Sequence, residues 1–512
     1  DRIYKSLVFT MATIALTSCV NDWLDLTPSD SIPSNSAITN YNDAKTALYG
    51  MYDGLQGNST YTQYYASRMF YYGDVRGDDM QARTQGMRSS SCYEMKYTID
   101  DAPNMWNVQY NVLRRANRLI EAVENNKITD AEKNQANVNN IYAQAKSVRA
   151  LVHFDLVKVY GMPYSFDNGA SMGVPIVTTP IDPLNANAIP GRNTVAEVYT
   201  QIVKDLTEAI DSKALNVSKS AGDNQGFIDE WAAKALLTRV YIYMGKNQEA
   251  LDMAKNIIEN SPYSLWTKAQ YANAWDKNNA NHINEMIFEL VNSGSDDWAD
   301  REGIAYLYHE DGYADAICTK SFVDMLAQDP SDVRLDVILP VQLKTDDNGK
   351  PTDMYKTYGD NRIFINKFPM GSLGDMRLNN LPILRLSEVY LNAAEAAAKL
   401  NDKTSTAKYL NEIIKNRTDD TKQLVTESTA TLERVLLERR KELVGEGQRF
   451  FDAMRNNETV TRYTNEDEKG WHYSINKESQ VFDRTYFRTI LPIPVSETNA
   501  NPTLKAQQNP GY

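Results

Sequence analysis

The chain has 512 residues, 42% of them apolar and 24% charged, a composition that supports a folded core and argues against a disordered chain. It sets 54 Lys and Arg against 67 Asp and Glu, a net charge of −13. That balance repels phosphate backbones and offers no polybasic patch to anionic lipid, so nucleic-acid binding is a poor first reading.

The opening residues read as a leader. Arg2 and Lys5 flank the start of a short apolar run, Leu7 to Leu16, too brief to span a bilayer. Leu16-Thr17-Ser18-Cys19 follows, with small residues ahead of a cysteine, in the form of a bacterial lipobox. On this reading residues 1–18 are a lipoprotein signal peptide and Cys19 carries the acyl chains that anchor the protein. The alternative is an ordinary signal peptide with an incidental cysteine. Residues 19–40, rich in Ser, Pro and Asn, read as a tether, leaving 41–512 as one folded body. No later stretch has ~18 consecutive apolar residues. Cys92 and Cys318 could form a disulfide in an exported chain, but their spacing does not require one.

Helical periodicity dominates the body. Trp106, Tyr110, Leu113, Asn117, Ile120 and Val123 recur at three- to four-residue spacing, and so do Ile141, Ala145, Val148, Val152, Leu156 and Val159. Gly161 and Pro163 end the second run. Over 230–262, Leu237, Tyr241, Ala250 and Pro262 fall at the offsets of a tetratricopeptide helix pair, with Lys234 and Thr238 in place of that pattern's Trp and first Gly. Gly245-Lys246-Asn247 supplies the turn. A looser pair spans 384–416, with Ala394, Ala397 and Ala407 as small contacts and Asn401-Asp402 as the turn. Irregular segments at 163–192, 292–316 and 340–382 lie between these blocks. The last contains an Asp346-Asp347-Asn348-Gly349 turn signal and short extended runs such as Arg362 to Ile365. Long loops on a rigid scaffold usually carry function.

Catalytic and metal-binding signatures do not emerge. The four histidines, His153, His282, His309 and His472, form no HExxH pattern, and His153 reads as a packed helix residue. No phosphate-binding Gly loop and no G-x-S-x-G elbow occurs, and the Asp346 turn fails as a calcium loop, because Lys344 and Tyr355 would take its first and last ligand positions. No cofactor is implied. A carboxylate pair of glycosidase type carries no mark in sequence. The aromatics are more informative: 31 Tyr and 7 Trp outnumber 13 Phe. Such rings join an apolar face to a hydrogen-bonding tip and suit the C–H faces and hydroxyl edges of sugars, although most must fill helix seams.

Several stretches together resemble one family. Residues 436–455 read LLERRKELVGEGQRFFDAMR, the chain ends NPTLKAQQNPGY, and AQAKSVRALVHFDLVKVYG and LRLSEVYLNAAEA stand at 143–161 and 384–396. With the lipobox, these resemble the SusD/RagB family of Bacteroidetes outer-membrane lipoproteins along nearly the whole chain. The resemblance implies an all-α body of tetratricopeptide-like hairpins with long irregular loops and a few short β-hairpins. It also implies a lid over a SusC-like TonB-dependent β-barrel transporter, to which captured oligosaccharide, or sometimes peptide, is passed. The signature residues themselves read as structural: Arg449, Asp452 and Arg455 sit at i,i+3 spacing and can pair along a helix, while Gly445 and Gly447 break it.

The family's ring arc is not a sequence motif, so the candidate ligand contacts come from loop context. Residues 292–313 offer Trp298, Tyr306, Tyr308 and Tyr313 beside Asp296, Asp297 and Arg301. Residues 71–83 offer Tyr72, Asp74, Arg76, Asp78, Asp79 and Arg83, with a loop of internal ion pairs as the alternative. The resulting expectation is a non-enzymatic, surface-exposed glycan receptor. A peptide receptor on the same scaffold is the second reading, and an unmarked glycoside hydrolase the third.

Overall fold

The computed structural model describes residues 37–57, 64–83, 88–181, 190–293, 302–309, 311–338, 363–368, 375–462, 472 and 475–512. Cys19, Asp296, Asp297, Trp298, Arg301 and the Asp346–Gly349 turn lie outside them.

The longer helices form a ladder. In chain order they are α1 (Tyr41–Gly54), α2 (Arg68–Val75), α3 (Trp106–Glu124), α4 (Gln135–Tyr160), α5 (Val195–Asp211), α6 (Glu230–Met244) and α7 (Asn247–Asn260). Then follow the short α8 (Ile304–Tyr308), α9 (Leu386–Lys399), α10 (Lys403–Lys415), α11 (Leu432–Leu443) and α12 (Arg449–Arg455). Each rung packs on the next: α1 on α3, α3 on α4, α4 on α5, α5 on α6, α6 on α7, α7 on α9 and α9 on α10. Helix α11 closes against α9, and α12 against α2. Among the described residues no helix is long and apolar enough to cross a membrane.

Local chemistry sets the helix ends. Thr194 and Glu197 form a reciprocal capping box at the start of α5, and Asp229, Asp402 and Thr431 cap α6, α10 and α11. Both expected hairpins are present. Gly245 ends α6 at φ +71° and Asn401 follows α9 at φ +58°, the left-handed conformation that these residue types tolerate. Ala250, Ala254, Ala394 and Ala397 are fully buried, so that α7 and α9 meet through small side chains, whereas Tyr241 is only half-buried.

Among the described residues, three short antiparallel strand pairs staple the irregular half: β1 (Met80–Ala82) with β3 (Ala316–Cys318), β2 (Met286–Leu290) with β4 (Leu381–Arg385), and β5 (Val460–Thr461) with β6 (Val481–Phe482). They join distant parts of the chain rather than closing tight hairpins. Cys92 and Cys318 are buried free thiols.

The signature helices α11 and α12 carry buried charge. Glu442, fully buried, faces Arg417 at 2.9 Å, Arg385 at 3.1 Å and Arg334 at 3.2 Å, and Glu285 meets the first two at 3.2 and 2.8 Å. Arg385 and Lys367 share Glu446, each at 2.8 Å. A second cluster sets Glu395 and Asp452 against Arg439 and Arg455. Asp452 and Arg455 pair at 2.8 Å as their spacing suggests, but Arg449 turns away, to Asp78 at 2.7 Å and Glu458 at 3.0 Å. The C-terminal tail is equally specific. The Asn509 side chain donates to the carbonyls of Tyr160 and Leu491, and Gly511, at φ +94°, sits where a Cβ would meet Phe487 at 2.5 Å.

Removing one partner of a buried ion pair leaves an uncompensated charge. Glu442→Gln should therefore destabilise the protein by about 3–5 kcal/mol in denaturant titration. The pH dependence follows from the same groups. Burial pushes Glu438 upward, but Arg334, Arg434 and Lys441 outweigh burial and hold it at about 2, and Glu442 is likewise held well below its usual range. A depressed carboxylate contributes stability that is complete above its unfolded value, about 4.3 for Glu, and is lost as pH falls through its folded value. Thermal melts should thus show stability falling steeply between about pH 4 and pH 2. An unchanged melting temperature across that interval would contradict the assignment.

Candidate functional site

The nominated residues divide by burial. Segment 71–83 is not an open loop: Tyr72 lies in α2 and Asp79 leads into β1. Tyr72 is fully buried, its ring packed near Phe450 and Phe451 and the Arg76 guanidinium 4.2 Å from its centroid. Arg76 donates to the Tyr97 hydroxyl and the Arg488 carbonyl, at 2.8 and 2.7 Å. Asp78 and Asp79 are held by Arg449 and Arg440, the closest contacts being 2.7 and 2.5 Å. The ion-paired alternative describes this segment: Tyr72 packs in the interior, and Asp78 and Asp79 are engaged by arginines.

Tyr308 likewise lies in the interior. It is fully buried and its hydroxyl donates to Asp74 at 2.7 Å. Burial raises the Asp74 carboxyl to about 7, although the bonds from Tyr308 and the Gly447 amide oppose the shift. Gly73 allows this approach of α2 to the signature loop, since a Cβ there would stand 1.9 Å from the Gly447 carbonyl oxygen.

Tyr306 and Tyr313 remain at the surface, and the structure brings them together. Their ring centroids are 5.6 Å apart with planes at 37°, and the Tyr313 amide donates to the Tyr306 carbonyl at 2.7 Å. Tyr313 is 36% exposed and Tyr306 partly buried. Gly312 makes the turn possible: a Cβ would lie 2.3 Å from the Tyr306 oxygen.

Arg83, the last residue nominated in 71–83, contacts the same turn. Its side chain donates to two successive carbonyls, Tyr313 at 2.9 Å and Ala314 at 3.0 Å. Ala314 has φ +48°, unusual for a residue with a Cβ, so this clamp holds a strained turn. Asp315 completes the frame, accepting from the Arg88 amide at 3.0 Å, the Ser89 amide at 2.9 Å and the Ser89 hydroxyl at 2.6 Å. Arg88 is thereby placed with its guanidinium 4.6 Å from the Tyr313 ring centroid, and it forms a two-pronged pair with Glu302, 2.6 Å at each prong. Beside α8, Arg377 forms a similar pair with Asp375, whose carboxylate keeps that guanidinium more firmly charged. His309, below the turn, is depressed by burial in spite of Asp311, and its Nδ1 accepts the Asp311 amide at 3.1 Å.

Arg88, Glu302, Asp315, Asp375 and Arg377 were not singled out from the sequence. Glu302 adjoins the nominated Arg301, but no local spacing pairs residue 88 with residue 302. The arrangement offers two aromatic faces framed by donors and acceptors, which suits adsorption of a hydroxylated, partly apolar ligand.

Comparison with known proteins is consistent along the chain. Residues 204–512 match the family described as the SusD family, and 22–242 match one described as starch-binding, associating with the outer membrane. A SusD superfamily protein from Bacteroides thetaiotaomicron is similar in structure at TM-score 0.79 and 38% identity, over 92% of this chain and 100% of that one. A putative sugar binding protein from Bacteroides vulgatus is similar at TM-score 0.80 and 36% identity, over 93% and 100%. The SusD-like protein P25 of Formosa agariphila is 23% identical over the full length of both.

The frame around the rings is testable on its own. Asp315→Ala orphans the buried Ser89 amide and hydroxyl and the partly buried Arg88 amide, and should destabilise the protein by about 1–3 kcal/mol. Hydrogen exchange should locate the loosening at residues 88–90 and 313–315. Protection unchanged there would show that Asp315 does not hold the turn.

Proposed function

Because the chain belongs to the SusD family, we propose that it captures oligosaccharide at the outer surface of the cell and passes it to a SusC-like TonB-dependent β-barrel transporter. The observation that carries the reading is the adjoining pair of rings, Tyr313 exposed and Tyr306 partly buried, on a turn held by Arg83 and Asp315. Anchoring through a lipid on Cys19 would hold this face near the membrane with no spanning helix. On this reading the protein binds and releases ligand and breaks no bond.

Binding would be modest. Each ring stack contributes roughly 0.5–1.5 kcal/mol. Tyr306→Ala or Tyr313→Ala should therefore each weaken binding about two- to twelvefold by isothermal titration calorimetry with the tightest ligand from a panel of neutral oligosaccharides. Tyr72→Ala separates binding from folding. It empties a buried site and should lower stability by about 3–5 kcal/mol while leaving the affinity of the folded fraction unchanged. Equal affinities for wild type and both surface-ring variants would remove the pair from the site. Co-purifying peptides in place of sugar would favour the peptide reading, and release of reducing sugar by the pure protein would favour the hydrolase. The transporter should co-purify after gentle detergent extraction; a lone receptor under those conditions would count against the partnership.

A further inference from the structure

We propose that the Arg88–Glu302 pair makes the ring platform selective for uncharged sugars over acidic ones. This inference rests on the glycan reading above and deepens it. Among the described residues, three guanidiniums border the rings, and each is already engaged. Arg88 is held at Nε and Nη2 by the two oxygens of Glu302, both at 2.6 Å. Arg377 is held by Asp375, with contacts of 2.9, 3.0 and 2.6 Å. Arg83 reaches the carbonyls of Tyr313 and Ala314.

A sugar carboxylate or sulfate seeking Arg88 would have to displace Glu302 from a two-pronged pair, the strongest arrangement available to a guanidinium. Without displacement it would stand within contact range of that carboxylate, and like charges at such separations repel strongly outside bulk water. A sugar hydroxyl meets no such barrier. It can donate to Glu302 and accept from a neighbouring N–H without breaking the pair. Swinging the arginine aside would give up both prongs to Glu302 and the contact of its guanidinium with the Tyr313 ring. The pair is partly exposed, 34% for Arg88 and 28% for Glu302, so an arriving ligand can reach it. The overall charge of −13 acts in the same direction at longer range.

The test uses affinity electrophoresis of the full chain through gels holding starch, laminarin or xylan as neutral probes and polygalacturonate or alginate as acidic ones. Wild type should be retarded by at least one neutral polymer and bind the acidic ones at least about tenfold more weakly. Glu302→Gln removes the blocking charge and leaves Arg88 without its two-pronged carboxylate partner. It should bind polygalacturonate about tenfold more tightly than wild type does, with a gain that disappears in high salt. Arg88→Gln, which keeps Glu302, should show no such gain and guards against a gain caused by loosening alone. Retardation of wild type by an acidic polymer as strong as by any neutral one, unmoved by Glu302→Gln, would overturn the inference and leave the glycan reading standing. Retardation by no polymer would overturn both.

Discussion

A carboxylate surrounded by guanidiniums in a dry interior has very few places where it can sit. Glu442 is such a group, and the molecule is organised around it. Arg334, Arg385 and Arg417 reach it from a turn, a strand and the end of a helix, while Glu285 shares two of the three. Networks of this kind are weak evidence for stability, since desolvation offsets much of the attraction. Their other consequence is positional: a misplaced register would leave several charges buried without partners. Here the register so fixed is the one between the helix ladder and the irregular half. From Glu446 the constraint passes to Lys367, and two residues earlier Ile365 donates to the Tyr308 carbonyl at 3.1 Å, in the helix that also carries Tyr306. A second route runs from Arg440 and Arg449 through Asp79 and Asp78 into β1, whose next residue is Arg83. The first route ends on the helix that carries Tyr306 and the second on the turn that carries Tyr313.

The ladder was legible because its signals are local. Apolar residues at three- to four-residue spacing, capping side chains and a residue suited to positive φ mark the pairs at 230–262 and 384–416, and α3 and α4 appear where the periodicity places them. The signature was legible only as far as its local part. Asp452 and Arg455 pair across one turn, whereas Arg449 finds Asp78, 371 residues away. Spacing reports neighbours on one helix and is silent about partners brought together by folding.

The ring site illustrates the same boundary. Tyr72 and Tyr308 stood in the sequence among Gly, Asp and Arg and read as loop aromatics, yet both lie in short helices whose apolar neighbours carry them into the core. Polar residues beside a tyrosine do not mark exposure when, like Asp74 and Asp78, they become its buried partners or close ion pairs of their own. Tyr306 and Tyr313 were named for the same reason as the buried pair, and only the fold separates them. Arg88 and Asp315 carried no signal at all, because their importance comes from a contact spanning more than 220 residues.

The strained turn explains how two rings can serve as a platform. A non-glycine residue in the left-handed region costs of order 1–3 kcal/mol, and Ala314 carries that cost within the folded scaffold before any ligand arrives. Arg83 and Asp315 offset it with hydrogen bonds that do not involve a ligand. The rings are therefore set by the interior rather than by what they bind. Ligand capture then avoids the ordering penalty of a flexible loop, which at roughly 0.5–1.5 kcal/mol per immobilised side chain would cancel most of what one stacked ring supplies. On the proposed reading, two rings would suffice because neither would have to be ordered first.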